Sequence, residues 1–337
     1  MKVSFSLPKG NKNNKKLIFA GDVGATKTNL ALFKVDGDHL LLQKEGQFIS
    51  KNYTNIIELA DSFLKELPLP DAICFGVAGP VQNNKAFLSN LGWELNIDEI
   101  AEHFHLKNIQ LINDLEATAF GLAVLEEKDI KVLSEGSNNS VGNVAVIAPG
   151  TGLGEAGLYW DGANHHPFAS EGGHCDFAPR NELDFELYNY LQQKFGHVSW
   201  ERLLSGPGIV NIYHFLRDKK KMTEPKWLSN LFENGATPAV ISTHTEESGI
   251  CKETMELFVR YLAYESANLV LKYKATGGLY IGGGIAPQII SLFENYSFLK
   301  SFYQSGRLNF ILEKVPVKII LNSKAALLGA SYYCITK

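Results

Sequence analysis

Short apolar runs that end in glycine alternate with longer stretches of helical period along this 337-residue chain. Residues 17–20 are apolar and stop at Gly21-Asp22-Val23-Gly24, and a second run, 29–35, follows at once. Asp36-Gly37-Asp38 reads as a turn, and 39–50 is strand-like again. This pattern predicts a β-hairpin with a third strand beside it. Residues 56–67 place Ile56, Leu59, Ala60, Phe63, Leu64 and Leu67 on one helical face and stop at Pro68. Residues 72–78 and 109–112 read as buried strands; the second ends at Asn113-Asp114, from which a helix is expected to about Leu125.

The polar stretch 125–143 is the candidate hinge or domain crossing. Beyond it the pattern restarts, with a strand over 144–148, a turn at Pro149-Gly150-Thr151-Gly152 and a strand over 153–160. Strand, glycine-threonine turn, strand therefore occurs twice, a weak internal duplication. The rest is more helical. A helix is expected over 253–274, a strand over 278–281 ending in Gly282-Gly283-Gly284, a helix from near Pro287, a strand over 317–321 and a closing helix over 325–334. Residues 217–248 have no clear period and read as a surface excursion with short helices. Alternating strands and helices predict an α/β protein.

Composition narrows the classes. The length suits two domains. A net charge of -4 argues against a nucleic-acid binder. No apolar run reaches the roughly 20 residues of a membrane span. Residues 1–16 are polar and lysine-rich and read as a flexible leader, not a secretory signal. Cys74, Cys175, Cys251 and Cys334 are widely spaced without a CxxC pair, which predicts reduced thiols in a cytoplasmic protein.

Three glycine-rich segments follow strands: residues 21–28, 150–154 and 282–284. Glycine lets a backbone turn its N–H groups toward phosphate oxygens at close range, and threonine adds a hydroxyl donor. Two familiar motifs are excluded in detail. Lys27-Thr28 lacks the glycine that precedes the lysine of a P-loop, Thr26 standing there. Glu155 occupies the final glycine position of a dinucleotide fingerprint, and a strand follows. Asp22 in a phosphate loop calls for a cation between them, Mg²⁺ with its waters, or else is a turn aspartate bonding its own backbone.

A second set of residues suits a neutral polyhydroxyl ligand. Asn113-Asp114 lies at a strand's carboxyl end, although Asp114 taken alone reads first as an N-cap. Glu171-Gly172-Gly173-His174 combines an acceptor with an imidazole. Glu201 follows Trp200 at the start of an expected helix, and Asn90-Leu91-Gly92-Trp93 offers an amide and a ring.

With these residues in place, the chain resembles bacterial glucokinases of the hexokinase–actin–Hsp70 ATPase superfold. The matching stretches are GDVGATKTN (21–29), FGVAGPV (75–81), SNLGW (89–93), LINDLEA (111–117), PGTGLGEAGL (149–158), EGGHCDFAPR (171–180), GHVSWERLLSGPGIVNIY (196–213) and GGLYIGGGIAP (277–287). The resemblance implies two ribonuclease H-like (actin-like ATPase) domains around a cleft: 17–124 plus 323–337 as the small domain and 125–322 as the large one. It implies ATP-dependent phosphorylation of glucose at the 6-hydroxyl, with Asp114 as base. Asn90, Asn113, Glu171, His174 and Glu201 become the sugar ligands. Asp22, Gly24, Thr26, Lys27, Thr151 and Gly152 become the phosphate loops, with Mg²⁺ held through water at Asp22. Gly282 and Gly283 become the adenosine-side turn. A homodimer is expected on the same ground.

Two departures stand out: Ala25 where the family usually has glycine, and Lys27 where asparagine is common. The related ROK kinases carry a cysteine-rich zinc motif after the histidine; here only Cys175 follows His174, so no structural zinc is expected. The leader is too short for the helix-turn-helix domain of a ROK repressor. Another hexose or an N-acetylhexosamine as substrate, ADP or polyphosphate as donor, and a non-catalytic sugar sensor remain open readings.

Overall fold

The computed structural model describes residues 3, 5, 16–36, 39–137, 140–232 and 235–336. Most of the leader, and Gly37 and Asp38 of the first turn, lie outside the described residues. The described chain divides into two compact units. The first covers residues 2–129, 158–169 and 322–337; the second covers 130–157 and 170–321. Residues 125–129, 158–169 and 322, which the resemblance assigns to the large domain, group with the first unit.

The first unit is built on a five-stranded sheet. Its strands are β1 (Leu17–Val23), β2 (Lys27–Asp36), β3 (His39–Ile49), β4 (Ala72–Val77) and β8 (Ile109–Asn113). The order is β3-β2-β1-β4-β8, antiparallel across β1–β2–β3 and parallel across β1–β4–β8. Three short strands, β5 (Val81–Gln82), β6 (Lys85–Leu88) and β7 (Trp93–Asn96), form a separate sheet inserted between β4 and β8.

Alternating residues of a strand face opposite sides of its sheet, and here both sides are covered. Phe19, Val23, Leu30, Ile73 and Phe75 pack with helices α1 (Ile56–Leu64) and α2 (Ile97–Phe104). Ile18, Ala20, Ala31 and Cys74 pack with α3 (Asp114–Gly121) and the final helix, Ala325–Thr336. Phe5 of the leader is half-buried in this second cluster, 4.9 Å from the Phe120 ring. Cys74 and Cys334, separated by most of the chain, meet there within hydrogen-bonding reach.

The other sheet has six strands: β9 (Ile130–Ser134), β10 (Val144–Pro149), β11 (Leu153–Trp160), β12 (His165–Ser170), β13 (Gly278–Ile281) and β14 (Val317–Ile320); β9, β10, β13 and β14 lie wholly within the second unit. Its order, β12-β11-β10-β13-β14-β9, repeats that of the first sheet with one strand added at the edge. The two glycine-threonine turns therefore occupy equivalent corners of two equivalent sheets, as expected of a duplicated actin-like ATPase fold. The added strand β9 lies in the stretch read from sequence as a hinge. It pairs antiparallel with β14, and its edge position leaves it too exposed to show an apolar run.

Helices α4 (Glu182–Phe195), α5 (Gly206–Asp218), α6 (Lys226–Leu231), α7 (Pro238–Thr243) and α8 (Gly249–Tyr273) pack on the second sheet. The 25-residue α8 is buried through most of its length, with Met255, Phe258, Leu262 and Leu269 in the core. Helices α6 and α7 are the short elements of the stretch without a period. Among the described residues no helix is long and apolar enough to cross a membrane.

Candidate active site

In the first unit, parallel pairing sets the candidate residues in one row. Asp22 of β1 stands beside Gly76 of β4, and Val77 of β4 stands beside Asn113 of β8. Asp22 and Asn113 are therefore two strand spacings apart, about 10 Å, at the same carboxyl end of the sheet.

The turn from β1 to β2 is tied in from both sides. Gly24 N donates to Lys27 O at 3.1 Å, and Ser50 N donates to Thr26 O at 3.2 Å. Ser50 Oγ donates to Gly24 O at 2.7 Å and lies 3.0 Å from Thr28 Oγ1. Thr26 and Lys27 are exposed at the tip. Asp22 accepts from Asn29 Nδ2 at 3.2 Å, and Gln47 Nε2 donates to Asn29 Oδ1 at 2.9 Å. Burial pushes the Asp22 carboxyl above its ordinary value, and the Asn29 bond opposes that only in part. Asn29 and Ser50 brace this loop, yet the sequence pattern did not mark them as site residues. Asn29 sits inside the quoted motif; Ser50 is brought in by the β2–β3 pairing alone.

The start of α3 separates two roles that the sequence left joined. Asn113, not Asp114, is the N-cap: its Oδ1 accepts from Leu115 N at 2.9 Å and Glu116 N at 3.3 Å. Its Nδ2 donates to Gly79 O at 3.2 Å. Asp114 is the first helical residue, with Oδ1 2.9 Å from Leu115 N. An ionised side chain there also lies at the positive end of the helix dipole. Strand β4 runs close beside this turn: a methyl on Gly76 would sit 3.8 Å from the Asp114 Cα and 3.0 Å from the Ala117 Cβ. Asn90 is exposed in the turn between β6 and β7.

In the second unit the candidates converge on Glu201. The stretch Trp200–Arg202 is a 3₁₀ turn rather than the expected α-helix start; α5 begins later, capped by Ser205. Glu201 Oε2 accepts from Leu153 N at 2.9 Å, on the loop that carries Thr151 and Gly152. A methyl on Gly152 would overlap that same oxygen. The other oxygen, Oε1, lies 3.8 Å from His174 Nε2.

Backbone bonds hold the two loops in register: Trp200 N donates to Cys175 O at 3.0 Å and Phe177 N to Val198 O at 2.9 Å. The buried Trp200 and Phe177 rings meet edge-on at 5.0 Å beneath them. Glu171 and His174 themselves are exposed.

The third glycine segment completes the group. Gly282 N donates to Ile147 O at 2.8 Å and Ile285 N to Pro149 O at 3.3 Å, so the loop after β13 lies along the end of β10. Gly283 takes φ +76°, a left-handed conformation, with no room for a methyl against Pro149 O. Thr151, Gly152, Gly282 and Gly283 thus share one end of the second sheet. Among the described residues no group of three or more His, Cys, Asp or Glu side chains is arranged to hold a metal ion.

The glucokinase family profile matches residues 19–337. A glucokinase of Trichormus variabilis is 38% identical over 334 residues, covering 94% of this chain and 98% of that one. A Synechocystis glucokinase is 35% identical over 340 residues, covering 93% and 96%. Among solved structures, the glucokinase of an Antarctic psychrotroph superposes with a TM-score of 0.84 at 29% identity, covering 96% of this chain and all of that one. A ROK family glucokinase from Streptomyces griseus, solved with glucose and AMPPNP, has a TM-score of 0.61 at 19% identity, covering 94% and 98%, and is alike in fold.

Proposed function

The chain belongs to the glucokinase family and phosphorylates glucose, and from that premise we propose that Asp114 is the base that accepts the proton of the sugar 6-hydroxyl as ATP donates its γ-phosphoryl group. The observation that carries this reading is the division of labour at α3. Asn113 takes over the cap, so the carboxylate of Asp114 is not needed to start the helix.

Glu171, His174 and Glu201 bind the sugar hydroxyls, as a set of acceptors and donors with Glu201 already braced on Leu153 N. Asn113 contributes through the N–H it has left after bonding Gly79 O. Asn90 acts from the β6–β7 turn. The loops at Gly24–Lys27 and Thr151–Gly152 offer N–H and hydroxyl donors to the phosphates, and Gly282–Gly283 lets the adenosine approach. Phosphoryl transfer then rests on positioning and charge stabilisation.

The residues at Asp22 fit a hydrated Mg²⁺. Its carboxylate is partly buried, its only described hydrogen-bond partner is Asn29, and burial makes its charge costly without a cation near it. When bound, the ion neutralises phosphate charge. Asn29 holds the carboxylate in place, and Gln47 in turn holds Asn29. The same reading makes the enzyme a cytoplasmic homodimer, which light scattering on purified protein tests for its oligomeric part.

Initial rates of phosphoryl transfer, crossing glucose, mannose, fructose and N-acetylglucosamine with ATP, ADP and polyphosphate, test the assignment. The highest kcat/KM is expected for glucose with ATP. A higher value for another pair would replace the substrate or the donor in this account.

A further inference from the structure

One buried carboxyl in the second unit has no role in the scheme above. Glu155 on β11 is 1% exposed, and neither of its oxygens has a hydrogen-bond partner. Buried polar side chains are almost always paired, and an orphan costs roughly 1–3 kcal/mol, so its retention calls for a reason.

Its neighbours supply one. The loop carrying Glu171 and His174 lies flat on β11 through its two glycines. A methyl on Gly172 would overlap Glu155 Oε2, and a methyl on Gly173 would overlap Leu153 O. Residues two apart in a strand share a face, so Leu153 and Glu155 form one floor beneath the loop. Leu153 is also the residue whose N–H holds Glu201. Ser170 Oγ accepts from Gly172 N at 2.9 Å and fixes the loop's entry.

We propose that Glu155 is a positioning residue for the sugar loop, its carboxyl supporting the Gly172 backbone so that Glu171 and His174 are presented together with Glu201. The inference rests on the proposed assignment of that loop to the sugar.

The surroundings of Glu155 favour its neutral form. Burial is the main cause, repulsion by Glu265 of α8 adds to it, and Lys272 of α8 opposes it; together they push the carboxyl up to about 8. Glu265 is itself committed to Lys272 at 3.0 Å and Asn268 at 2.8 Å. Tyr273 at the end of α8 and Cys175 after the loop also lie among these groups. A charge developing on Glu155 has no hydrogen-bond partner in place among the described residues, so the carboxylate must draw in water or shift against Gly172. Sugar affinity should therefore weaken as pH rises through about 8, while the chemical step, which uses other groups, changes less.

The test measures KM for glucose and kcat from about pH 6.5 to about 9.5, conditions chosen to bracket that range. The wild-type KM is expected to rise with pH, and Glu155→Gln, neutral throughout and equal in size, is expected to hold a nearly flat KM. Gly172→Ala is expected to raise KM by about tenfold or more, and Glu155→Ala combined with it to recover most of that loss by making room. Identical KM profiles for wild type and Glu155→Gln, or a double variant no better than Gly172→Ala, would overturn the proposal. Glu171→Ala separates the two readings. An unchanged KM in that variant removes the loop from the sugar site and the inference with it. A raised KM beside an unresponsive Glu155 pair removes the inference alone.

Discussion

Glu201 Oε2 accepts a hydrogen bond from Leu153 N at 2.9 Å, so a residue of the proposed sugar site also fixes the loop of Thr151 and Gly152. In the proposed assignment the sugar and phosphate sites of the second unit therefore share one carboxylate. Glu201→Gln keeps an oxygen for Leu153 N but loses the charge facing His174; Glu201→Ala loses both. We expect Glu201→Gln to raise KM for glucose with KM for ATP nearly unchanged, and Glu201→Ala to raise both. Glu201→Ala should also lower stability by about 1–3 kcal/mol by leaving a backbone N–H unpaired. Steady-state kinetics and denaturant unfolding check this. Equal behaviour of the two variants toward ATP would contradict the shared role.

Asp22 should trade stability for function. Its folded-state pKa is raised by burial, so ionising it costs the folded state more than the unfolded one. The cost is absent at pH values below the ordinary carboxylate range and present in full above the raised value. Asp22→Asn removes it. Thermal unfolding without nucleotide should show Asp22→Asn more stable than wild type at about pH 7, with the difference vanishing as pH falls toward about 3. Addition of Mg²⁺ and nucleotide should stabilise wild type more than the variant. A variant less stable than wild type at neutral pH would contradict the burial argument.

The thiols should react according to burial rather than spacing. Cys175 is exposed; Cys74, Cys251 and Cys334 are buried. Burial and the neighbouring Cys334 also hold the Cys74 thiol well above its ordinary value, which suppresses the reactive thiolate. A disulfide dye should titrate a single thiol in the native protein, lost in Cys175→Ser, and the remaining three only after unfolding. Rapid native reaction of Cys74 would contradict the packing of the final helix.

What could be read along the chain was what local pattern encodes. Buried strands such as β4 and β10 show as apolar runs, and the glycine-threonine turns mark the corner of each sheet. Strand β9 escaped because an edge strand with Lys131 and Val132 exposed carries no such run. The cap could not be assigned either. Asn113 and Asp114 are adjacent and both suit the position, and only the bonds to Leu115 N and Glu116 N separate them. Ser50 and Glu155 reach the proposed site only through tertiary contact with Gly24 and Gly172. Glu155 did leave one trace, a carboxylate inside an otherwise apolar strand.

The separation of Asn113 from Asp114 gives the central claim its sharpest test. Asn113→Ala should cost about 0.5–2 kcal/mol of stability through the lost cap. Asp114→Asn should leave stability and glucose binding, followed by calorimetry or tryptophan fluorescence, close to wild type. Its kcat for glucose phosphorylation should fall by roughly 10²–10⁴ or more. A kcat near the wild-type value in Asp114→Asn would contradict the assignment of Asp114 as the base.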